Sequence, residues 1–218
     1  MGEWSNRRAV RGTDRKDLNG NHVIAKACFY GIIVCWWAFL LTFWLRKRPP
    51  RARETQHDRR SYLGLLLQSV AYFIVFLPPL RFRGRLLDQI AKESGWHVPI
   101  LAMLALLIAV ASVGLVNWAA RCLGKQWALE ARLVEGHDLI EDGPYRFVRN
   151  PIYTGMFGML VATGLVGMRW ERLAVAVVLF VIGTHIRIRA EERLLRGAFG
   201  ARFEEYARRV SALIPGIY

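Results

Sequence analysis

The sequence predicts an all-α integral membrane fold of about five transmembrane helices, the last two paired as a C-terminal helical hairpin. Three observations carry this reading. The 218 residues are 54% hydrophobic, and their mean hydropathy of +0.21 is high for a soluble chain. The 31 Lys and Arg and the 17 Asp and Glu come in blocks between long uncharged runs, where a soluble helical protein would spread them along amphipathic helices. Five of those runs approach the ~20 residues that cross a bilayer core as helix. The same figures exclude a disordered tail protein, which needs low hydrophobicity. They also argue against a globular nucleic-acid binder, although the net charge of +14 would otherwise suggest one. Cys28, Cys35 and Cys122 are too few and too scattered for a disulfide framework or a zinc site, so no metal is expected.

The first span runs from about Ala27 to Leu45 without a charge. It is longer than the 7–15 apolar residues of a cleaved signal, and no small-residue cleavage site follows it. It is therefore read as a retained helix, with RKRPPRARETQHDRR behind it as a stop-transfer block. The second span is Tyr62–Leu80, closed by Pro78-Pro79, and the third is Val98–Ala120, whose one strongly polar residue is Asn117. The fourth, Ile152–Met168, carries Gly155, Gly158, Gly164 and Gly167. The fifth, Leu173–Ile186, begins after a turn of about five residues, too short to hold a domain. Gln68 and Asn117 are expected to hydrogen-bond between helices.

Five passes put the termini on opposite sides. With the C-terminus inside, the inner segments hold 19 Lys and Arg against 12 outside, so the positive-inside bias favours a cytoplasmic C-terminus. The 121–151 connection and the tail from Arg187 then both face the cytoplasm. The chain divides into residues 1–120, an N-terminal arm with three spans, and residues 121–218, which hold the long connection, the hairpin and the tail. In the tail, apolar residues recur at helical spacing on either side of Gly200, which predicts two short amphipathic helices.

Two constellations could carry chemistry. In EDGPYRFVRNPIYTG, Gly143-Pro144 and Asn150-Pro151 are turn dipeptides, and Pro151 suits the first turn of a helix. Between them lie Tyr145, Arg146 and Arg149, which could equally be an interfacial belt. Gly155 and Gly158 would let a backbone or a ligand approach the fourth span closely, leaving room for an acceptor's tail. Around the end of the fifth span stand Thr184, His185, Arg187, Arg189, Glu191, Glu192 and Arg193, with Arg187 and Glu191 on one face at i, i+4. Such a face could also be plain solvated charge. The sequence contains no dinucleotide fingerprint, no phosphate loop and no HExxH.

Together the two constellations resemble the isoprenylcysteine carboxyl methyltransferase family, including its bacterial and archaeal members. GPYRFVRNPIYTG is similar to that family's GPYxxxRHPxYxG signature. EERLLRGAFGARFEEYARRVSALIPGIY is similar to its second, an acidic pair followed by FGxxYxxY and RVPxxxP, and LGKQWALEARLVEGHDLIEDGPY resembles the run that precedes the first. The likeness covers about residues 121–218, and the ordered pair is far more specific than either half.

The resemblance implies an integral-membrane methyltransferase that uses S-adenosylmethionine, bound by cytoplasmic segments over the last hairpin. It implies cofactor-binding roles for Tyr145, Arg149, Asn150, Pro151, Tyr153 and Glu191, and for Gln126, His137 and Leu139 in the enclosing loop. It implies catalytic roles for Arg187, Glu191 and Glu192. Three positions depart from the pattern: Asn150 replaces the usual His, Phe203 a Tyr, and Ser211 a Pro. An amide keeps a donor but cannot act as acid or base. The implied partners are the bilayer and a lipophilic small molecule or lipid, and the implied location is a bacterial inner or plasma membrane. A carboxylate acceptor needs a cation to hold it, for which Arg187 or Arg149 could serve, whereas an amine or thiol needs a proton sink such as Glu191 or Glu192. The competing readings are a sterol-reductase-like NADPH-dependent oxidoreductase and a non-catalytic protein whose basic face binds anionic lipid. The five-span topology predicts that cysteines introduced at Ser5 and Ser211 label from opposite sides of a sealed vesicle. Labelling of both from one side would sink it.

Overall fold

The structure, a computed structural model, describes residues 3–45, 54–57, 60–77, 97–124, 132–134, 138–167, 170–214 and 216. Six α-helices appear among them: α1 Glu3–Trp44, α2 Arg60–Phe76, α3 His97–Leu123, α4 Pro151–Gly167, α5 Trp170–Phe199 and α6 Ala201–Arg209. Two short strands, β1 Glu54–His57 and β2 Arg132–Val134, pair antiparallel with Glu54 opposite Val134 and His57 opposite Arg132. They tie the α1–α2 connection to the α3–α4 connection. Among the described residues this small ladder and a single Val148–Ser211 bridge depart from the expected all-α chain.

Val23–Trp44 of α1, Pro99–Leu123 of α3 and all of α5 are long and apolar enough to cross a membrane. Ser61–Phe76 and Pro151–Val166 are apolar but shorter, since 17 residues of helix reach only about 25 Å against a ~30 Å core. The expected ends of the second and fourth spans, Leu80 and Met168, lie outside the described residues. The chain is an integral membrane protein, and its surface agrees: Trp37, Leu66, Phe73, Leu107 and Val178 are all more than half exposed along the helix flanks.

The first four helices alternate in direction and α5 returns against α4. The C-terminal ends of α1, α3 and α5 therefore meet the N-terminal ends of α2 and α4. Asn117 Nδ2 donates to Thr42 Oγ1 at 2.8 Å near that end, while Arg172 donates to the Leu77 carbonyl at 2.6 Å at the other. One core joins α1, α3 and α4 through Ile32, Cys35, Phe39, Ala105, Ala109, Val116, Met159 and Ala162. A second joins α2, α4 and α5 through Ala71, Leu160, Ala176 and Phe180. Hydrogen bonds stitch the helices across these cores, as hydrocarbon offers buried polar groups no other partner. Gln68 Nε2 donates to Thr184 Oγ1 at 2.8 Å, Trp36 Nε1 to Thr163 Oγ1 at 3.0 Å, and Tyr72 to the Met156 carbonyl at 2.7 Å. Gln68 and Asn117 thus act as expected.

Two expectations are corrected. Gly155 and Gly158 leave no channel for an acceptor, because α3 fills the space. A Cβ at Gly155 would overlap Val116 Cγ2 and lie 3.0 Å from the Ser112 carbonyl, and one at Gly158 would overlap Ser112 Oγ. The glycines serve helix–helix packing. The first of the two expected tail helices is not separate either: α5 runs unbroken through Ile186 to Phe199. Its break at Gly200, where φ is +53°, is where the sequence put it. Since α3 occupies the Gly158 face, Gly158→Leu should overpack it and cost about 1–3 kcal/mol. A thermal unfolding midpoint in detergent equal to that of the wild type would show that this face is open.

Candidate functional site

The motif before α4 is shaped by its own turn residues. Gly143 enters at φ +63° with Trp118 and Cys122 of α3 packed against it, and Pro144 opens a 3₁₀ turn over Gly143–Arg146. Pro151 starts α4, where its missing N–H costs nothing. The tail then lies along this segment. Arg149 N donates to Ser211 O at 2.8 Å and Asn150 N to Ala212 O at 3.1 Å. Asn150 Nδ2 also donates to Ala212 O at 2.9 Å, and Thr154 Oγ1 to Leu213 O at 2.7 Å. Tyr153, Ile188, Ala212 and Leu213 close a small apolar cluster beneath these bonds.

The residues singled out in the sequence separate into two groups. In the first, Tyr153 of α4 meets Arg187 and Glu191 of α5. Arg187 is 4% exposed; its Nε donates to the Tyr153 hydroxyl at 2.7 Å, and its guanidinium lies 5.3 Å from the Tyr153 ring centroid, in cation–π range. The hydroxyl in turn donates to Glu191 Oε1. Arg187 Nη2 stands 3.9 Å from the same oxygen. The Glu191 side chain keeps 28% exposure, so this group opens outward on its carboxylate.

In the second group Arg149 is a clamp. Its Nε and Nη2 donate to Glu192 Oε1 at 3.1 and 2.8 Å, while Nη1 donates to the carbonyls of Ala207, at 2.7 Å, and Val210. Those two carbonyls belong to the end of α6, so one guanidinium ties the motif, α5 and the tail together. Glu192 Oε2 accepts from Arg196 Nη2 at 3.1 Å, and Arg196 Nε reaches Glu204 Oε1 at 2.7 Å. Tyr145 is buried, and its carbonyl accepts from the Tyr206 hydroxyl at 2.7 Å. Burial pushes that hydroxyl above its ordinary range, which keeps it protonated and donating. Leu139 packs with Phe203 and Tyr206. Gln126 and His137 lie outside the described residues.

Sequence reasoning missed three parts of this framework. Tyr206 looked like one more apolar position of an amphipathic helix, although a lone Tyr on an otherwise charged helix is a signal for a buried hydroxyl bond. The Arg196–Glu204 pair spans the Gly200 break and has no helical spacing to betray it. Thr154 gave no signal beyond its type.

Residues 100–202 match the model of the phospholipid methyltransferase family. This stretch, just under half of the chain, is thus similar to a family that takes in isoprenylcysteine carboxyl methyltransferase-like proteins. The match runs from within α3 to the first residues of α6 and contains Tyr153, Arg187, Glu191, Arg149 and Glu192, while Glu204, Tyr206, Ala207 and Val210 lie beyond it. Among relatives, a cobalt-zinc-cadmium resistance protein of Cupriavidus metallidurans is 35% identical over 128 residues, 56% of this chain and 53% of that protein. A nickel-cobalt-cadmium resistance protein of Alcaligenes xylosoxydans is 30% identical over 108 residues, 49% of this chain and 50% of that one. An uncharacterized protein of Bacillus subtilis is 26% identical over 106 residues, 48% of this chain and 60% of that one. The matched stretch is thus about half the length of the relatives. The family supports a membrane methyltransferase reading of the fold.

The clamp geometry makes Arg149 and Glu192 a coupled pair. Arg149→Met should leave Glu192 paired with Arg196 in a largely dry site and cost ~3 kcal/mol. The double variant with Glu192→Met should cost less than the sum of the singles. Additive losses in thermal unfolding would mean that the pair carries no shared energy.

Proposed function

We propose that the chain is an S-adenosylmethionine-dependent methyltransferase of the bacterial inner membrane, acting on a lipophilic acceptor from its cytoplasmic face. The observation that carries this is the contact of Tyr153, Arg187 and Glu191, all inside the family-matched region and at the end of the bundle that holds both connections. Members of the family use S-adenosylmethionine in general. The residues present suit it chemically at one point: Glu191 offers a partly open carboxylate for an ammonium or ribose hydroxyls. When bound, the cofactor supplies a methyl group on a sulfonium, open to in-line attack by an electron-rich atom.

What the protein must add is placement, and holding two reactants in line can account for much of a rate enhancement. Arg187 is buried, charged and fixed by Tyr153, which suits it to orient an anionic head group by charge-assisted hydrogen bonds. Tyr153 accepts from Arg187 Nε and donates its hydroxyl hydrogen bond to Glu191, which fixes the Arg187 side chain. A carboxylate acceptor would carry no proton to lose, so the residues here would have only to hold and orient it. For an amine or thiol the acceptor's proton must leave, and Glu191 is the nearest carboxylate with access to take it. The exposed apolar helix flanks support an acceptor that partitions into the bilayer. Two relatives are named for resistance to divalent metals, which names a phenotype and no methyl acceptor.

Calorimetry on detergent-purified protein should show binding of S-adenosylhomocysteine and none of NADPH; the reverse result would move the chain to the reductase reading, and binding of neither to the lipid-binding one. Labelled S-adenosylmethionine with phosphatidylethanolamine vesicles, N-acetyl-S-farnesylcysteine or dodecanethiol then sorts N-, O- and S-methylation. Arg187→Ala should lower kcat/KM for the acceptor by roughly 10- to 150-fold while cofactor binding changes little. An unchanged acceptor kcat/KM on the folded fraction would leave Arg187 as an anchor only.

A further inference from the structure

α2 lies outside the family-matched residues, yet it touches the candidate site. The face it turns inward is Ser61, Gly64, Gln68 and Ala71, all buried, while Tyr62, Leu63, Leu66, Phe73 and Phe76 point outward. This inverts the pattern of a soluble helix, and close backbone approach is what such a face allows in a membrane. The approach is made at Gly64 and Gly183. A Cβ on Gly64 would stand 2.5 Å from the Gly183 carbonyl and 2.5 Å from Arg187 Cγ. A Cβ on Gly183 would stand 2.7 Å from the Gly64 carbonyl. One turn deeper, the Gln68–Thr184 hydrogen bond fastens the same two helices, and the buried Gln68 Oε1 has no partner among the described residues.

We infer that Gly64 is a positioning residue for the site: the bare backbone of α2 is the wall against which the Arg187 stem rests, directing its guanidinium onto Tyr153. The stem is confined between Gly64 on one side and the Tyr153 ring, 5.3 Å from its guanidinium carbon, on the other. With Cγ seated on Gly64, Nε meets the Tyr153 hydroxyl at 2.7 Å. A methyl group at position 64 must push α2 away from the Gly183 carbonyl and also crowd Cγ, and a displaced Cγ carries the guanidinium out of line. A helix remote from both signature motifs thereby decides how the acceptor is held. The consequence for turnover rests on the methyltransferase reading, but the seat itself does not.

The test is a double-variant cycle of Gly64→Ala and Arg187→Ala, read by two measurements. The first is thermal unfolding in detergent, which needs no substrate. Gly64→Ala should lower the midpoint in both backgrounds, because its methyl also meets the Gly183 carbonyl, but by measurably less with Arg187→Ala, since the stem it strikes is gone. Equal shifts in both backgrounds overturn the seat. If Gly64→Ala alone does not accumulate folded, recovery of folded protein in the double variant supports the seat, and no recovery overturns it. The second measurement is turnover with whichever of the three acceptor probes is methylated. Gly64→Ala should lower acceptor kcat/KM by about tenfold or more, leave S-adenosylhomocysteine affinity within about threefold, and add nothing once Arg187 is Ala. Gln68→Leu, which loosens the same helix contact without touching Arg187, should lower the midpoint and spare the acceptor kcat/KM. Losses that simply add, or a Gln68→Leu enzyme as impaired as Gly64→Ala, mean that α2 only packs. Absence of S-adenosylhomocysteine binding by the wild type would instead count against the functional reading, while the unfolding cycle still decides the seat.

Discussion

A helix in hydrocarbon gains nothing by hiding leucine from lipid, so the helices here must be held by something other than apolar burial. Two devices do it. Small residues let backbones touch, as at Gly64 with Gly183 and at Gly155 and Gly158 against Ser112. Polar side chains that would be costly alone find each other across helices, as Gln68 finds Thr184 and Asn117 finds Thr42. The large apolar side chains are left facing outward, where the solvent is lipid. Everything at the charged end of the bundle depends on this arrangement, because it fixes how closely α2, α4 and α5 can bring their ends together.

At that end the energetic problem changes from packing to charge. Arg149, Arg187, Glu191, Glu192 and Arg196 crowd within a few turns of helix, where a lone buried charge would be expensive. The arrangement sorts the two adjacent carboxylates by environment. Glu192 is held by Arg149 and Arg196 and is 9% exposed, whereas Glu191 meets Tyr153 and Arg187 and keeps 28%. The first is a structural keystone for the tail and the second faces where a reactant could sit. Neighbours in sequence thus take different tasks because helical geometry turns them about 100° apart.

Much of this could be read in advance. Uncharged runs of nearly 20 residues located the helices, the Gly143-Pro144 and Asn150-Pro151 dipeptides located the turns, and Gly200 located the break. The i, i+4 spacing of Arg187 and Glu191 put them on one face. Other features were not legible, for physical reasons. A glycine in a membrane helix announces close approach but not by what, so Gly155 and Gly158 read as room when α3 already fills it. Charges along Arg187–Arg196 hide the continuity of α5, because hydropathy falls although the helix runs on with its buried face intact. The division of labour between Glu191 and Glu192 depends on Arg149, 42 and 43 residues away in the chain, and no local pattern reports such a partner. Gly64 sits in LGLLLQ, where composition says only that the segment is apolar.

The departures from the family pattern can be judged by what the residues do here. Asn150 stands where the signature has His, and its side-chain amide donates to the Ala212 carbonyl while its backbone donates to the same oxygen. That contact asks for an N–H donor aimed at the tail and for no proton transfer, and an amide meets it as well as an imidazole would. Ser211 stands where the pattern has Pro, and its carbonyl accepts from Arg149 N while its hydroxyl accepts from Gly216 N at 3.0 Å. A proline would stiffen this turn through its ring; the serine does so through a side-chain bond. Both substitutions exchange one way of pinning the tail for another. The group they leave untouched, Tyr153 with Arg187 and Glu191, is the one whose geometry no exchange of tail contacts can replace.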